Sequence, residues 1–132
     1  MIALDTDVLV RLAVEDDQDQ AARARRLVSD AESRGEKVIL LSGVLLEMVW
    51  VLSRGYGFQR ADIAHLLDAL LSSPTFEVEN RTAVQVASLR YRTEGDFADL
   101  LFVEMARDRK ARAFFSLDSK LVKLFPDYAQ KI

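Results

Sequence analysis

The feature that most constrains this chain is a set of short apolar runs that stop at or near an acidic residue, separated by segments of helical period. Ile2-Ala3-Leu4 ends at Asp5, and Ala113-Phe114-Phe115-Ser116 is followed closely by Asp118. Val38-Ile39-Leu40-Leu41 is apolar throughout, as expected of a strand covered on both faces in a parallel sheet. Phe76-Glu77-Val78 fits a further strand. Residues 18–34 carry Ala21, Ala24, Leu27, Val28 and Ala31 at helical spacing, with Gly35 as a stop. Further helices are expected over 8–12, over 42–52 with Ser42 as the cap, over 60–71, from Asn80 or Thr82 to about Tyr91, over 96–110 and over 119–124. The tail, 128–132, is compatible with an edge strand. Strands alternating with helices in this way predict an α/β fold with a mostly parallel sheet.

The length, 132 residues, fits one domain over 1–132. A chain of this size buries roughly two-thirds of its unfolded surface, and with 50% hydrophobic residues it needs no covalent staple. Cysteine is absent, which excludes disulfides, thiolate zinc sites and cysteine nucleophiles and suits a cytoplasmic protein. The opening MIALDTD lacks a basic region before an apolar stretch, so no signal peptide is expected. No apolar run approaches the roughly 20 residues needed to cross a bilayer, so no membrane association is expected. A net charge of −3 gives no general electrostatic case for nucleic-acid binding. The basic clusters Arg23, Arg25 and Arg26, and Arg107, Arg109, Lys110 and Arg112, read as ordinary solvated helix faces.

The acids carry the chemistry. In open α/β sheets ligands bind beyond the carboxyl ends of the strands, where Asp5 and Asp118 fall. Taken singly, each is explained as a helix cap, and so is Asp96 after Gly95. Asp99, in a first helical turn, is explained by the helix dipole, worth about 0.3–1 kcal/mol. Glu47 differs, because it has apolar neighbours on both sides in Val44-Leu45-Leu46-Glu47-Met48-Val49-Trp50-Val51-Leu52, a segment expected to be mostly buried. A buried carboxylate is normally paired or bound to metal, and reaching solvent or an arginine would serve Glu47 equally well. If these carboxylates converge, each pair about 4 Å apart costs about 4 kcal/mol at an effective dielectric of about 20. A divalent cation offsets that repulsion, and an all-oxygen ligand set points to Mg²⁺, with Mn²⁺ as substitute.

The ordered set MIALDTDVLVRL, Leu46-Glu47-Met48-Val49-Trp50-Val51-Leu52, Gly95-Asp96-Phe97-Ala98-Asp99-Leu100-Leu101 and Phe115-Ser116-Leu117-Asp118 resembles the successive motifs of PIN-domain ribonucleases, in particular the toxin subunits of VapBC toxin–antitoxin systems. The resemblance spans essentially the whole chain. It implies a three-layer α/β/α fold around a central, mostly parallel sheet of four to five strands, and metal-dependent endonucleolytic cleavage of RNA. By the same resemblance Asp5 and Asp99 are the principal metal-binding aspartates. Glu47 and Asp118 complete the catalytic quartet, binding metal directly or through water. Thr6 and Ser116 are supporting hydroxyls, and Asp96 is an additional acid. Asp7 departs from the pattern, since close relatives usually carry Asn there. Metal binding, an Asn-like hydrogen bond and lowered activity are all open consequences. The resemblance further implies a small antitoxin partner that blocks the acidic pocket, and a homodimer or higher homo-oligomer. Trp50, Tyr56 and Phe58 are candidates for the dimer surface, although Trp50 fits the core better.

Two other function classes compete. Asp5-Thr6-Asp7-Val8-Leu9 fits the Asp-x-Asp opening of haloacid-dehalogenase-type phosphatases, with Asp5 as nucleophile and Asp7 as acid/base. That reading lacks an apolar strand before Gly95, meets Val8 where a small residue is expected, and leaves Glu47 without a role. A non-catalytic, receiver-like module with an acidic pocket would need a phosphoacceptor aspartate after the third strand, where only Glu79 and Asn80 stand. His65, the one histidine, reads as structural or surface.

Overall fold

The computed structural model describes residues 1–132, which divide into two compact units, Met1–Arg81 and Thr82–Ile132.

In the first unit β1 (Ile2–Ala3), β2 (Val38–Leu40) and β3 (Phe76–Val78) form a parallel sheet in the order β1-β2-β3. Ile2 pairs with Val38, and Val38 in turn with Phe76. Parallel neighbours need a crossover, and helices supply it. α1 (Thr6–Ala13) and α2 (Gln18–Ser33) join β1 to β2, and α3 (Ser42–Trp50) and α4 (Arg60–Ser72) join β2 to β3. Val38 and Leu40 are fully buried, as are Leu9, Leu45, Met48, Leu52, Ile63 and Leu67 from the helices, so the core lies between sheet and helices.

α1 begins earlier than the apolar pattern suggests because the Asp5 carboxylate accepts a hydrogen bond from the Thr6 N–H at 2.7 Å and caps the helix. Ser42 is not the cap of α3, as expected from sequence, but its first helical residue, with Leu41 at the cap. Its orphan N–H is satisfied by Glu79 Oε1 at 2.9 Å, while its hydroxyl accepts from Asn80 Nδ2 at 2.8 Å. α3 does not run on as regular α-helix through Leu52. It widens into a π-helical turn, Val51–Gly55, closed by Tyr56 N–H to Val51 C=O at 3.2 Å. Gly57, at φ +66°, then turns the chain away.

In the second unit α5 (Arg81–Tyr91), which takes its first residue from the end of the first unit, leads to α6 (Phe97–Asp108). β4 (Phe114–Ser116), α7 (Ser119–Leu124) and β5 (Ala129–Lys131) follow. β4 and β5 pair in parallel, Phe114 with Ala129 and Ser116 with Lys131, so the tail is indeed a strand. The sheet of four to five strands expected from the resemblance is therefore corrected to three strands plus two. Strands of two or three residues offer very few ladder bonds, and β4 directs those of Phe114 and Ser116 to the β5 segment. Tyr91 stacks edge-on against Phe97, with ring centroids 5.7 Å apart, and Arg90 lies 4.4 Å over the Phe125 ring. No helix is long and apolar enough to cross a membrane.

The basic clusters are largely engaged. Arg23 pairs with Asp19 at 3.3 Å and Arg25 with Glu15. Arg107 pairs with Glu104 at 3.4 Å and lies 4.4 Å over the Tyr128 ring. His65 is exposed on α4.

Candidate active site

In the first unit Asp5 sits at the carboxyl end of β1, and Glu47 sits on α3, which starts from the carboxyl end of β2. Both line one cleft of about 400 Å³ with Thr6, Asp7, Arg11 and Tyr56. The Asp5 Oδ1 atom is engaged with the Thr6 N–H, which fixes the carboxylate and leaves Oδ2 open to the cleft's contents. Cap and ligand are thus compatible roles for one side chain. Glu47 is exposed, the solvent-reaching alternative of the two that its sequence context leaves open. The apolar neighbours of Glu47 turn inward at Leu45, Met48 and Val49, leaving Gly43, Glu47 and Trp50 on the opposite face. For the same reason Trp50 is not core: it is 65% exposed.

Thr6 is buried, and its Oγ1 has no hydrogen-bond partner, so the side-chain hydroxyl does not bond Asp5. Asp7 lies exposed in the first turn of α1, where the helix dipole favours its charge.

Arg11 is the cleft residue that sequence reading passed over. Four residues beyond Asp7, it shares that helix face, which was the available signal. Its Nε donates to Gln20 Oε1 at 2.6 Å. Its Nη1 donates to Asp16 Oδ1 and to the Tyr56 hydroxyl, each at 3.3 Å, and Tyr56 donates to Asp16 Oδ2 at 2.8 Å. The Tyr56 hydrogen bond raises the guanidinium pKa above its ordinary value; desolvation opposes it, and the Asp16 charge adds a smaller push upward. Tyr56 follows directly on the π-turn, whose departure from the 3.6-residue period keeps helical spacing from placing it.

The second unit presents Asp96, Asp99 and Asp118. Gly95, at φ +88°, delivers the chain into α6, and a Cβ there would lie 3.0 Å from Leu100 Cδ2. Asp96 caps α6 by accepting from the Asp99 N–H at 3.2 Å. Asp118 caps α7 by accepting from the Lys120 N–H at 2.8 Å, and its own N–H donates to Ser116 Oγ at 2.9 Å. Ser116 therefore shapes the turn that carries Asp118. Asp99 is half-buried, and its carboxyl is held above the usual carboxylate range, first by desolvation and then by the charges of Asp96 and Asp118.

Within neither unit are three such side chains gathered closely enough to cage an ion. The donor set still suits a hard cation, because every candidate ligand is a carboxylate. Mg²⁺ retains several waters and is commonly held by only one or two carboxylates. The repulsion on Asp99 is of the sign a cation relieves.

The PIN domain family model matches residues 2–125. The chain is also 26% identical over 125 residues to a VapC ribonuclease of Aquifex aeolicus (strain VF5), covering 94% of this chain and 92% of that protein. This match leaves no place for the phosphatase and receiver-like readings of the Asp5-Thr6-Asp7 opening. With acids at the strand ends, a mostly parallel α/β construction and a family match across both units, the chain belongs to the PIN-domain family.

Proposed function

We propose that this PIN-domain chain is a cytoplasmic, metal-dependent endoribonuclease acting as the toxin of a toxin–antitoxin pair, with both units serving as one functional domain over 1–132. The observation that carries the reading is the PIN-family match over residues 2–125 together with the placing of the acids: Asp5 and Glu47 line one cleft of the first unit, and Asp96 caps the helix that carries Asp99 in the second. Desolvation, and then the charges of Asp96 and Asp118, raise the Asp99 carboxyl, and a divalent cation would offset the repulsive part. Similarity to a protein named as a VapC ribonuclease supports RNA as substrate.

On this reading Asp5 and Asp99 would hold the metal, Mg²⁺ or Mn²⁺, with Asp118 and Glu47 as further ligands, direct or through water. Bound there, the metal supplies charge neutralisation at the scissile phosphate and a water acidified for attack. The chain's own residues place oxygen ligands. The capping bonds of Asp5 and Asp118 hold each carboxylate in one rotamer, so little ordering remains to be done when the cation arrives. Ser116 acts through Asp118, and Asp96 acts through the α6 N-terminus that carries Asp99.

The partners of this reading are the RNA, a small antitoxin and a second copy of the chain. An arginine from the antitoxin suits a cleft lined by Asp5, Asp7 and Glu47. Exposed Trp50 on α3 supports self-association, since a large aromatic with that much surface in water is the kind of residue interfaces cover.

Purified protein free of antitoxin, incubated with an RNA pool and Mg²⁺ or Mn²⁺, is expected to cleave it and to be silenced by EDTA. Hydrolysis of a phosphate monoester in place of RNA would overturn the reading.

A further inference from the structure

Two clefts of the first unit meet at Arg11. One is the acidic cleft of Asp5, Asp7 and Glu47. The other is a groove of about 270 Å³ between α1 and α2, lined by Val8, Gln20, Arg23, Ala24 and Leu27, which shares Asp7 and Arg11 with the first. An anion approaching the acidic cleft meets three carboxylates and one guanidinium. Repulsion between a phosphodiester and those carboxylates is what a fixed cation at the cleft wall must offset.

Arg11 is held for such a task. Three partners from three segments fix it: Asp16 in the loop after α1, Gln20 on α2 and Tyr56 after the π-turn. These bonds use Nε and Nη1, whereas Nη2 makes none. Here the two donors on Nη2 are left over, on a planar group already ordered by its other bonds, and little conformational entropy is left to lose on binding. The two N–H groups of Nη2 can each donate a charge-assisted hydrogen bond to a phosphate oxygen.

We propose that Arg11 is a substrate-binding residue that grips a phosphate of the RNA strand through Nη2, next to the scissile one, and that Tyr56 is a positioning residue that aims it. The inference rests on the ribonuclease reading above. It adds a protein-borne cation to a site otherwise described by its acids and their metal. Because Arg11 lines the α1–α2 groove as well as the acidic cleft, a strand bound at Arg11 can follow either.

The test is steady-state cleavage of a single-stranded RNA by wild type, Arg11→Met, Arg11→Lys and Tyr56→Phe, with KM followed against salt. For Arg11→Met the expectation is a KM raised about 10-fold with kcat changed less than about 3-fold, the loss of one charge-assisted contact of about 1.4 kcal/mol. The slope of log KM against log salt should fall by about 0.7, one phosphate contact on a single strand. Arg11→Lys should recover the salt slope but only part of the affinity, since a lysine keeps the charge but cannot hold Gln20, Asp16 and Tyr56 while presenting a further donor. Tyr56→Phe should raise KM in the wild-type background and have no effect in Arg11→Met. Wild-type KM and slope in Arg11→Met, with normal cleavage, would overturn the role of Arg11 and leave the ribonuclease reading intact. If Arg11→Met does not fold, Arg11→Lys and Tyr56→Phe decide: unchanged KM in both overturns the proposal. A wild-type protein that cleaves no RNA with either metal overturns the ribonuclease reading, and this inference with it.

Discussion

Asp118 separates the two roles that this chain asks of its acids. It caps α7 through a 2.8 Å bond from the Lys120 N–H, and it raises Asp99 by its charge. Asp118→Ala removes both. Loss of an N-cap costs typically about 1 kcal/mol. At roughly 2.1 cal/mol/K of unfolding entropy per residue, a chain of 132 residues loses about 3.5 °C in Tm for that amount. Asp118→Asn keeps the cap, since Asn and Asp cap about equally well. It forfeits the favourable helix-dipole term of about 0.3–1 kcal/mol and at the same time relieves the repulsion on Asp99, two effects of opposite sign. The metal-free Asn variant should therefore melt within about 2 °C of wild type, on the same conversion. RNA cleavage should fall in both variants. Thermal unfolding by circular dichroism in EDTA, beside a cleavage assay with Mn²⁺, reads the two effects apart. An Asn variant as unstable as the Ala variant would refute the separation of cap from charge, and full cleavage by Asp118→Asn would refute the catalytic role.

Asp99 gives a pH dependence with a definite sign. Its carboxyl pKa is raised in the folded state, so the folded protein binds the proton more tightly than the unfolded chain, and this group's contribution to stability falls as pH rises from the ordinary aspartate range through the raised value. Asp99→Asn should flatten that segment of the stability–pH curve in metal-free protein and make it more stable at neutral pH. A variant that unfolds more readily than wild type at pH 7 would contradict this. Gly95→Ala should cost about 1–3 kcal/mol, because it puts a Cβ at φ +88° and 3.0 Å from Leu100. A cost below about 0.5 kcal/mol in denaturant unfolding would show that the turn relaxes freely.

Much of the fold was legible because its signals are local. Alternating apolar runs and helical periods locate the helices to within a few residues, and Asp after a strand marks a cap whatever else it does. Trp50 was misjudged, and Glu47 left open between burial and solvent, because both sit in an apolar segment whose pattern does not say which face turns inward. Only packing of Leu45, Met48 and Val49 settles that. Leu41 displaced Ser42 as cap because Glu79, distant in sequence, supplies the acceptor for the Ser42 N–H. The division of the strands into three and two follows from pairing choices that runs of three residues cannot encode. Arg11 and Tyr56 were invisible as a pair for a similar reason: they lie 45 positions apart and meet only through tertiary packing, Tyr56 at the end of a π-turn that breaks the helical period. The acids themselves were recognisable mainly as an ordered set of motifs, since each alone is adequately explained as a cap or a dipole partner.

The most direct test of the account compares wild type, Asp5→Asn and Asp99→Asn in cleavage of RNA with Mn²⁺ and with EDTA. Asn preserves the cap at Asp5 and the size of both side chains while removing the ligand charge. The account predicts metal-dependent cleavage by wild type and its loss in each variant, with both variants folded. Cleavage retained by either folded variant, or by wild type in EDTA, would contradict it.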